Sequence, residues 1–416
     1  MKTALYSGFA PILAGRVPFY YGWVVLACLC LAGFSRQGPA LATLSIFIEP
    51  LTREFGWSRT AVSGAVSLGG VLAALVTPLI GPLLDRRGSR LVLCLAVLVN
   101  GAALILLSLT PSLLVFYLLF CIARMNWAGP FDIGIYGALN NWFVERRAFA
   151  TSLATLAQMA GLVAMPLIAQ FAIEHDGWRA GWLALGVLTL LVGFVPAWLF
   201  LARRPEDLGL SLERTSRAPT APLEPCFSRA QAVRTPAFWL LMLYTVLVYP
   251  VQAGVSLHQA PHLIERGFSP STVAAIVAVF SLMSGVAAMA YGFLPRRLPI
   301  RFAMAFTGVL LALGTWLMLA GGYLAAALFG LGVGGVLTLL PIAWADYFGR
   351  ASFGAIRGLA LSAQVLAQAA GPLLSGALRD LTADYRVSLY CFAGLSLLSV
   401  AAALAARRPT AAGGLS

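Results

Sequence analysis

The chain has 416 residues, of which 60% are hydrophobic and 10% are charged, whereas an ordinary soluble domain carries roughly 25% charged residues. Its mean hydropathy of +0.87 excludes a disordered chain, a secreted disulfide scaffold and a soluble enzyme with one anchoring helix. The sequence therefore predicts an all-α polytopic membrane protein.

Apolar segments separated by charged residues or by Pro and Gly predict twelve transmembrane helices, since about 20 apolar residues span a bilayer core of about 30 Å. In chain order the helices are expected at 19–48, 60–84, 91–109, 112–143, 148–173, 180–202, 236–260, 272–294, 301–320, 323–347, 356–378 and 385–406. The polar, Pro-rich stretch 203–235 predicts a cytoplasmic linker. The expected domains are therefore an N-terminal six-helix bundle, 1–202, and a C-terminal one, 236–416.

The distribution of Lys and Arg predicts the orientation, because these residues stay in cytoplasmic loops. Placing both termini in the cytoplasm puts 20 of the 28 basic residues on that side, six outside and two within the membrane. We therefore expect a plasma membrane protein, in a bacterial inner membrane, with cytoplasmic N- and C-termini. The same excess beside anionic lipid explains the net charge of +13 without nucleic acid as a partner.

The two halves of the chain resemble each other. Aligning Pro166 with Pro372 places Gln158 opposite Gln364, each eight residues before its Pro. Two duplicated six-helix halves are typical of secondary transporters that work by alternating access about a midplane site. The sequence therefore predicts two pseudo-symmetric bundles.

A motif of small and charged residues occupies the end of the second predicted helix and the loop after it: Gly81, Asp85, Arg86, Arg87, Gly88 and Arg90. Gly81 permits close helix approach, Asp85 can accept hydrogen bonds from a helix N-terminus, and the arginines anchor the cytoplasmic face. The motif resembles the loop signature of the major facilitator superfamily, between its helices 2 and 3. In the second half Arg296 stands where the aspartate would fall, so that copy is degraded.

A narrower resemblance, to the monocarboxylate and oxalate–formate antiporter branch of that superfamily, runs over most of the chain. It rests on short segments: Tyr21-Gly22-Trp23, Phe55-Gly56-Trp57-Ser58-Arg59, Trp142-Phe143, Arg146-Arg147-Ala148, Gly177-Trp178-Arg179 and Gly371-Pro372. The resemblance implies import or exchange of small organic anions, often with a proton. Members of the branch typically bind the carboxylate through a basic residue in helix 8 or helix 11. Here 272–294 has no charge and the middle of helix 11 offers only Gln364 and Gln368, so the binding charges must lie elsewhere.

Three ionisable residues lie deep within predicted helices: Arg36, Arg124 and Asp132. Each costs roughly 2.5–3.5 kcal/mol at mid-helix, so we expect them to face the bundle interior. Each arginine precedes a Gly-Pro pair, at 38–39 and 129–130, which interrupts a helix and frees backbone carbonyl groups at cavity depth. Two guanidinium groups beside such breaks predict a substrate-binding site for a carboxylate.

Asp132 has two possible roles, as a proton-coupling residue or as an ion-pair partner. Arg124 is eight residues away on the same helix and cannot pair with it without bending, whereas Arg36 could, leaving Arg124 for substrate. Burial favours the protonated form of an unpaired carboxyl group, and an adjacent guanidinium favours the carboxylate. The sequence leaves both roles open.

Weaker substrate-binding candidates are polar residues of the predicted cavity: Gln158, Gln364, Asn126, Tyr249, Gln252 and Ser284. For the two matched glutamines, hydrogen bonding between helices is an equally good explanation. We expect His258 and His262 at the membrane interface and Asp346 in a gate contact with loop arginines.

These patterns favour a secondary active transporter of small organic anions, mono- or dicarboxylates, driven by protons or by exchange. We expect no cofactor, no catalytic residues and no metal, because the six cysteines and the carboxylates form no ligand or nucleophile cluster. The expected partners are the anion, a proton as possible coupling ion and the lipid bilayer, with the protein a monomer. A proton-driven exporter of amphipathic, drug-like compounds is the alternative, and a non-transporting membrane sensor is a third possibility.

Overall fold

The computed structural model describes residues 9–211, 226–293 and 298–409, and every regular element in these ranges is a helix. The α-helices are α1 Ala10–Ala14, α2 Gly22–Ser35, α3 Leu41–Phe55, α4 Arg59–Arg87, α5 Ser89–Leu107, α6 Leu113–Ala128, α7 Pro130–Trp142, α8 Arg147–Leu188, α9 Val195–Phe200, α10 Arg229–Val233, α11 Pro236–Glu265, α12 Pro270–Gly292, α13 Ile300–Leu317, α14 Tyr323–Phe348, α15 Phe353–Thr382 and α16 Arg386–Ala405. A π-helical turn, Thr189–Phe194, joins α8 to α9. A short 3-10 helix, Pro205–Leu208, follows.

The first and fourth predicted helices are both interrupted at their Gly-Pro pairs. The first is divided into α2 and α3, and the chain between them runs through Gly38 and Pro39. The fourth is divided into α6 and α7 at Gly129, whose φ of −118° and ψ of −84° are not helical. The predicted breaks are therefore confirmed, because a proline inside a helix removes a backbone donor and displaces the carbonyl group four residues before it.

The fifth and sixth predicted helices, 148–173 and 180–202, are closer together in the structure than these predicted bounds would place them. Within α8 two helices meet directly at Gly177, whose φ of 81° and ψ of 176° are not helical. Glycine adopts this positive φ without a Cβ penalty. The predicted loop is thus reduced to a kink at one residue.

Nine helical stretches of the described ranges are long and apolar enough to cross a membrane. One of them, 147–200, contains the two spans on either side of Gly177. The divided first helix and α15 supply the remaining two spans, which makes twelve. Large apolar side chains such as Leu79, Leu114 and Leu167 are exposed, as expected where the surrounding solvent is lipid rather than water.

Contacts divide the chain into two compact units, which we call unit 1 (1–222 with 353–362) and unit 2 (223–352 with 363–416). The chain passes from one to the other within the predicted linker, of which 212–225 lie outside the described residues. The first turns of α15 group with unit 1, whereas the predicted domain 236–416 places them with the C-terminal helices.

The core of unit 1 combines stacked aromatic rings with close backbone contacts. The rings of Phe47 and Trp182 stack with their centres 3.8 Å apart. Where α8 crosses α2, Gly161 lies directly against the backbone carbonyl group of Phe34. Small residues at such crossings let membrane helices approach closely.

We expect Gly161→Ala to lower the stability of the protein by about 1–3 kcal/mol, because its Cβ atom would overlap a backbone oxygen that cannot rotate away. The melting temperature of the detergent-purified protein measures the effect. Gly376→Ala is the control, since a Cβ atom there meets nothing within 4 Å and alanine favours a helix. Equal losses in the two variants would contradict the close packing of α2 and α8.

Unit 2 is held together by the same kind of packing. Gly330 and Gly334 of α14 lie against the backbone of α12, at Phe280 and Ser284. The hydroxyl groups of Tyr244 and Thr307 are 2.8 Å apart and join α11 to α13. Small residues and hydrogen bonds between helices replace the hydrophobic effect, which drives little association within lipid.

Candidate functional site

Arg36 lies at the break between α2 and α3, where it follows the last residue of α2. Its side chain is only 7% exposed, yet its Nε and Nη1 atoms make no hydrogen bond with any described residue. The ion pairs among those residues do not include it either. Arg36 is therefore a buried cation with unused donors, the kind of group that normally has a function inside a membrane protein.

Arg124 of α6 shares an aromatic platform with Arg36. Its guanidinium carbon, Cζ, lies 4.0 Å from the centre of the Trp127 ring, and that of Arg36 lies 5.1 Å from the same centre. The indole is oriented by a hydrogen bond of 2.9 Å from its Nε1 atom to Oε1 of Gln37. Arg124 Nη1 donates to the carbonyl oxygen of Pro39 at 3.3 Å, and its Nε atom has no partner among the described residues.

The two guanidinium carbons are at most about 9 Å apart, because their distances of 5.1 Å and 4.0 Å are measured to the same ring centre. At an effective dielectric constant near 20 their mutual repulsion is about 2 kcal/mol or more. Contact with the indole face offsets part of this cost, at about 0.5–2 kcal/mol for each cation. The arrangement of Arg36, Trp127 and Arg124, which we call the arginine pair, is thus suited to an added anion.

Sequence reasoning missed Trp127 as a member of this site. The signal was present, because a residue three positions after Arg124 lies on the same face of the helix. The second contact, to Arg36, depends on how α6 packs beside the break after α2, and that packing is a property of the tertiary structure.

Asp132 pairs with a residue that the sequence did not connect to it. Its Oδ1 atom accepts a hydrogen bond of 3.3 Å from Nη2 of Arg357, and both side chains are buried, at 11% and 1% exposure. Asp132 makes no direct ion pair with Arg36, the other partner considered from the sequence, although its charge is close enough to act on Arg36 electrostatically. Arg357 is among the 20 basic residues that the sequence places on the cytoplasmic side, and in the structure it lies in the first turns of α15, which belong to unit 1.

Asp85 binds the N-terminus of α15, as the loop motif predicts. Its two carboxylate oxygens accept hydrogen bonds of 2.8 Å from the backbone N–H groups of Gly354 and Ala355. A carboxylate is favourable there because it satisfies free N–H groups and complements the helix dipole. Gly81 lies against the backbone of Gly354, where a Cβ atom would not fit.

The other motif residues lie around this contact. Gly88 adopts a φ of 91° between α4 and α5, a conformation that favours glycine. Arg90 donates to the carbonyl oxygen of Trp198 at 2.8 Å, and Arg86 and Arg87 are exposed. The degraded second copy, with Arg296, lies outside the described residues.

Two of the weaker candidates lie in unit 1. Gln158 of α8 donates to the hydroxyl group of Tyr136 and to the carbonyl oxygen of Ala154, both at 3.3 Å. The Tyr136 hydroxyl group is also 3.4 Å from Oγ1 of Thr155. Asn126 bonds within its own helix, to Ile122 at 3.0 Å. Gln158 therefore links α8 to α7, whereas the Asn126 amide is used locally.

The remaining candidates belong to unit 2. Gln252 accepts a hydrogen bond of 3.2 Å from Gln368, a contact between α11 and α15. The other three, Gln364, Tyr249 and Ser284, are buried at 8%, 2% and 4% exposure. His262 is buried within the protein and lies 3.1 Å from the carbonyl oxygen of Met318.

Comparison with known proteins identifies one matching family and several relatives. The sequence model of the Major Facilitator Superfamily matches residues 25–320. Human monocarboxylate transporter 11 is 27% identical over 415 residues, which cover 94% of this chain and 84% of that protein. Rat monocarboxylate transporter 4 is 26% identical over 400 residues, or 91% and 81% of the two proteins. The membrane sensor protein UhpC of Salmonella typhimurium is 28% identical over 299 residues, 66% of each.

Solved structures agree on the fold. The human organic anion transporter MFSD10 superimposes with a TM-score of 0.68 at 18% identity, covering 92% of this chain and 98% of that one. A bacterial homologue of the iron transporter ferroportin, in its outward-facing state, gives a TM-score of 0.71 at 18% identity, with 91% and 98% coverage. At these identities the likeness concerns architecture alone. Together with the sequence relatives it confirms the predicted fold class and the resemblance to the monocarboxylate branch.

Proposed function

The chain belongs to the major facilitator superfamily and is a multi-pass membrane transporter rather than an enzyme, and from that premise we propose that it transports small organic anions, with carboxylates as substrates. The arginine pair carries this proposal, because the buried Arg36 and the half-buried Arg124 form no ion pair with a described residue, and their guanidinium groups favour an anionic ligand. The relatives named monocarboxylate transporters support the same substrate class.

In this proposal Arg36 and Arg124 bind the carboxylate through paired N–H donors. Guanidinium groups match the planar geometry of a carboxylate and keep their charge when water is excluded. The face of Trp127 fixes both side chains and provides an apolar surface for the carbon skeleton. Transport is proposed to follow alternating access, and buried polar groups such as Gln364 and Tyr249 are proposed as further substrate contacts.

We further propose that protons drive transport through Asp132. The carboxylate form holds Arg357, and hence the first turns of α15, to α7. Protonation removes the charge that holds Arg357 and frees this end of α15 to move. The neighbouring contact between Asp85 and the α15 N-terminus would then be released in the same transition.

Proteoliposomes with a proton gradient test the proposal. We expect labelled lactate or succinate to accumulate when the gradient is imposed, unlabelled carboxylates to compete, and ethidium to remain unaffected. Ethidium movement without movement of any carboxylate would instead support the exporter. The orientation, with cytoplasmic termini in the plasma membrane, is tested by protease access to tags placed at the two ends.

The similarity to the membrane sensor protein UhpC favours a second candidate, a sensor that binds its ligand without moving it. The arginine pair would serve such a protein equally well. Carboxylate binding by the purified protein, combined with the absence of both net uptake and exchange in proteoliposomes, would support the sensor.

A further inference from the structure

The numbers of positive and negative side chains inside unit 1 indicate how many charges the anionic substrate carries. Four ionisable side chains lie at the helix breaks of unit 1 or within the first turns of α15: Arg36, Arg124, Asp132 and Arg357. Asp85, which is half-buried, is already bound to the backbone N–H groups of Gly354 and Ala355. Arg147 is also buried, but it begins α8 and donates to the carbonyl oxygen of Phe143. The group of four contains three positive charges and one negative charge.

The one negative charge is already paired. Asp132 binds Arg357 at 3.3 Å, so that pair is neutral overall. Arg36 and Arg124 then remain as two positive charges without a described acidic partner. Three of their nitrogen atoms, Nε and Nη1 of Arg36 and Nε of Arg124, are buried without an acceptor among the described residues. An ion pair with only one of the two guanidinium groups would leave the other uncompensated.

We propose that the substrate is a dianion, a short aliphatic dicarboxylate whose two carboxylate groups each bind one guanidinium group of the arginine pair. This inference rests on the proposed function and narrows its substrate class. A dianion matches the two charges, whereas a monocarboxylate leaves one guanidinium group of the arginine pair without an anion, which is less favourable.

The geometry also limits the length of the dicarboxylate. Both guanidinium carbons lie over one indole, at most about 9 Å apart, and Gln37 fixes the orientation of that indole. Because this distance is an upper limit, a dicarboxylate that contacts both guanidinium groups must have its two carboxylate groups close together. Malonate and succinate are therefore expected to bind more tightly than longer dicarboxylates such as adipate.

Succinate and monomethyl succinate test the proposal, because they share a carbon skeleton and differ by one charge. The ligand-dependent rise in melting temperature of the purified, full-length protein at neutral pH gives the affinity for each. We expect succinate to bind about tenfold or more tightly than its monomethyl ester, as expected for one additional charge-assisted contact.

Arg124→Gln tests the assignment to these residues. The variant carries one guanidinium group at the site, so the preference for succinate over monomethyl succinate should disappear. Arg53→Gln is the matched control, because Arg53 is exposed and pairs only with Glu49 on its own helix, and it should keep the full preference.

The outcomes of these binding measurements distinguish a failure of the dianion proposal from a failure of the proposed transport of organic anions. Equal affinity of the wild-type protein for succinate and monomethyl succinate, or tighter binding of the ester, would overturn the dianion while leaving organic anions as substrates. Stabilisation by neither compound nor by lactate would overturn both. These wild-type measurements decide the question even if Arg124→Gln fails to fold.

Discussion

Replacing Arg36 or Arg124 by glutamine is expected to reduce carboxylate uptake by about 100-fold or more while the protein still inserts into the membrane. Glutamine keeps a hydrogen-bond donor of similar reach but removes the positive charge. Loss of one partner from a buried, hydrogen-bonded ion pair typically costs 2–5 kcal/mol of binding. Initial rates of labelled carboxylate uptake in proteoliposomes, normalised to the reconstituted protein, measure the effect.

The melting temperature of the ligand-free variants distinguishes substrate binding from a structural role. Arg36 makes no described ion pair, and two of its nitrogen atoms lack acceptors, so removal of its charge should not lower the stability of the ligand-free protein. Arg53→Gln, at an exposed position, should transport normally. Normal uptake by both Arg36→Gln and Arg124→Gln would disprove the proposed site.

Breaking the buried pair of Asp132 and Arg357 is expected to destabilise the protein by about 3–5 kcal/mol for either single substitution, Asp132→Asn or Arg357→Gln, because each removes one member of a buried, hydrogen-bonded ion pair. The double variant should lose much less than the sum of the two, since the interaction between Asp132 and Arg357 is lost only once. Melting temperatures of the three variants measure this coupling.

Transport by Asp132→Asn gives an independent readout of the proposed proton coupling. Asparagine cannot carry the proton, so accumulation driven by a proton gradient should be lost, while exchange of labelled for unlabelled carboxylate persists. For the stability measurements, the exposed pair of Glu49 and Arg53 is the control, because removal of such a pair lowers the stability by less than about 1 kcal/mol. Gradient-driven accumulation that survives in Asp132→Asn would assign the coupling proton to another residue.

The amino-acid sequence alone is enough to predict the number and order of the membrane helices, because lipid excludes unpaired backbone groups and therefore requires long apolar helices. It also predicts the breaks at Gly38-Pro39 and Gly129-Pro130, since proline removes a helical hydrogen bond. Arg36 and Arg124 stand out in the sequence because a charge within lipid is costly. Asp85 is recognisable as the acceptor for a helix N-terminus because its motif is local.

The partners of these charges depend on how distant segments pack together. Asp132 and Arg357 are 225 residues apart in the chain, and Arg357 follows the positive-inside pattern like any loop arginine, so its burial leaves no trace in the sequence. The shared contact of Arg36 and Arg124 with Trp127 likewise requires α6 to lie beside the end of α2. Hydropathy and helix breaks are properties of short segments, whereas charge pairing is a property of side chains brought together from different helices.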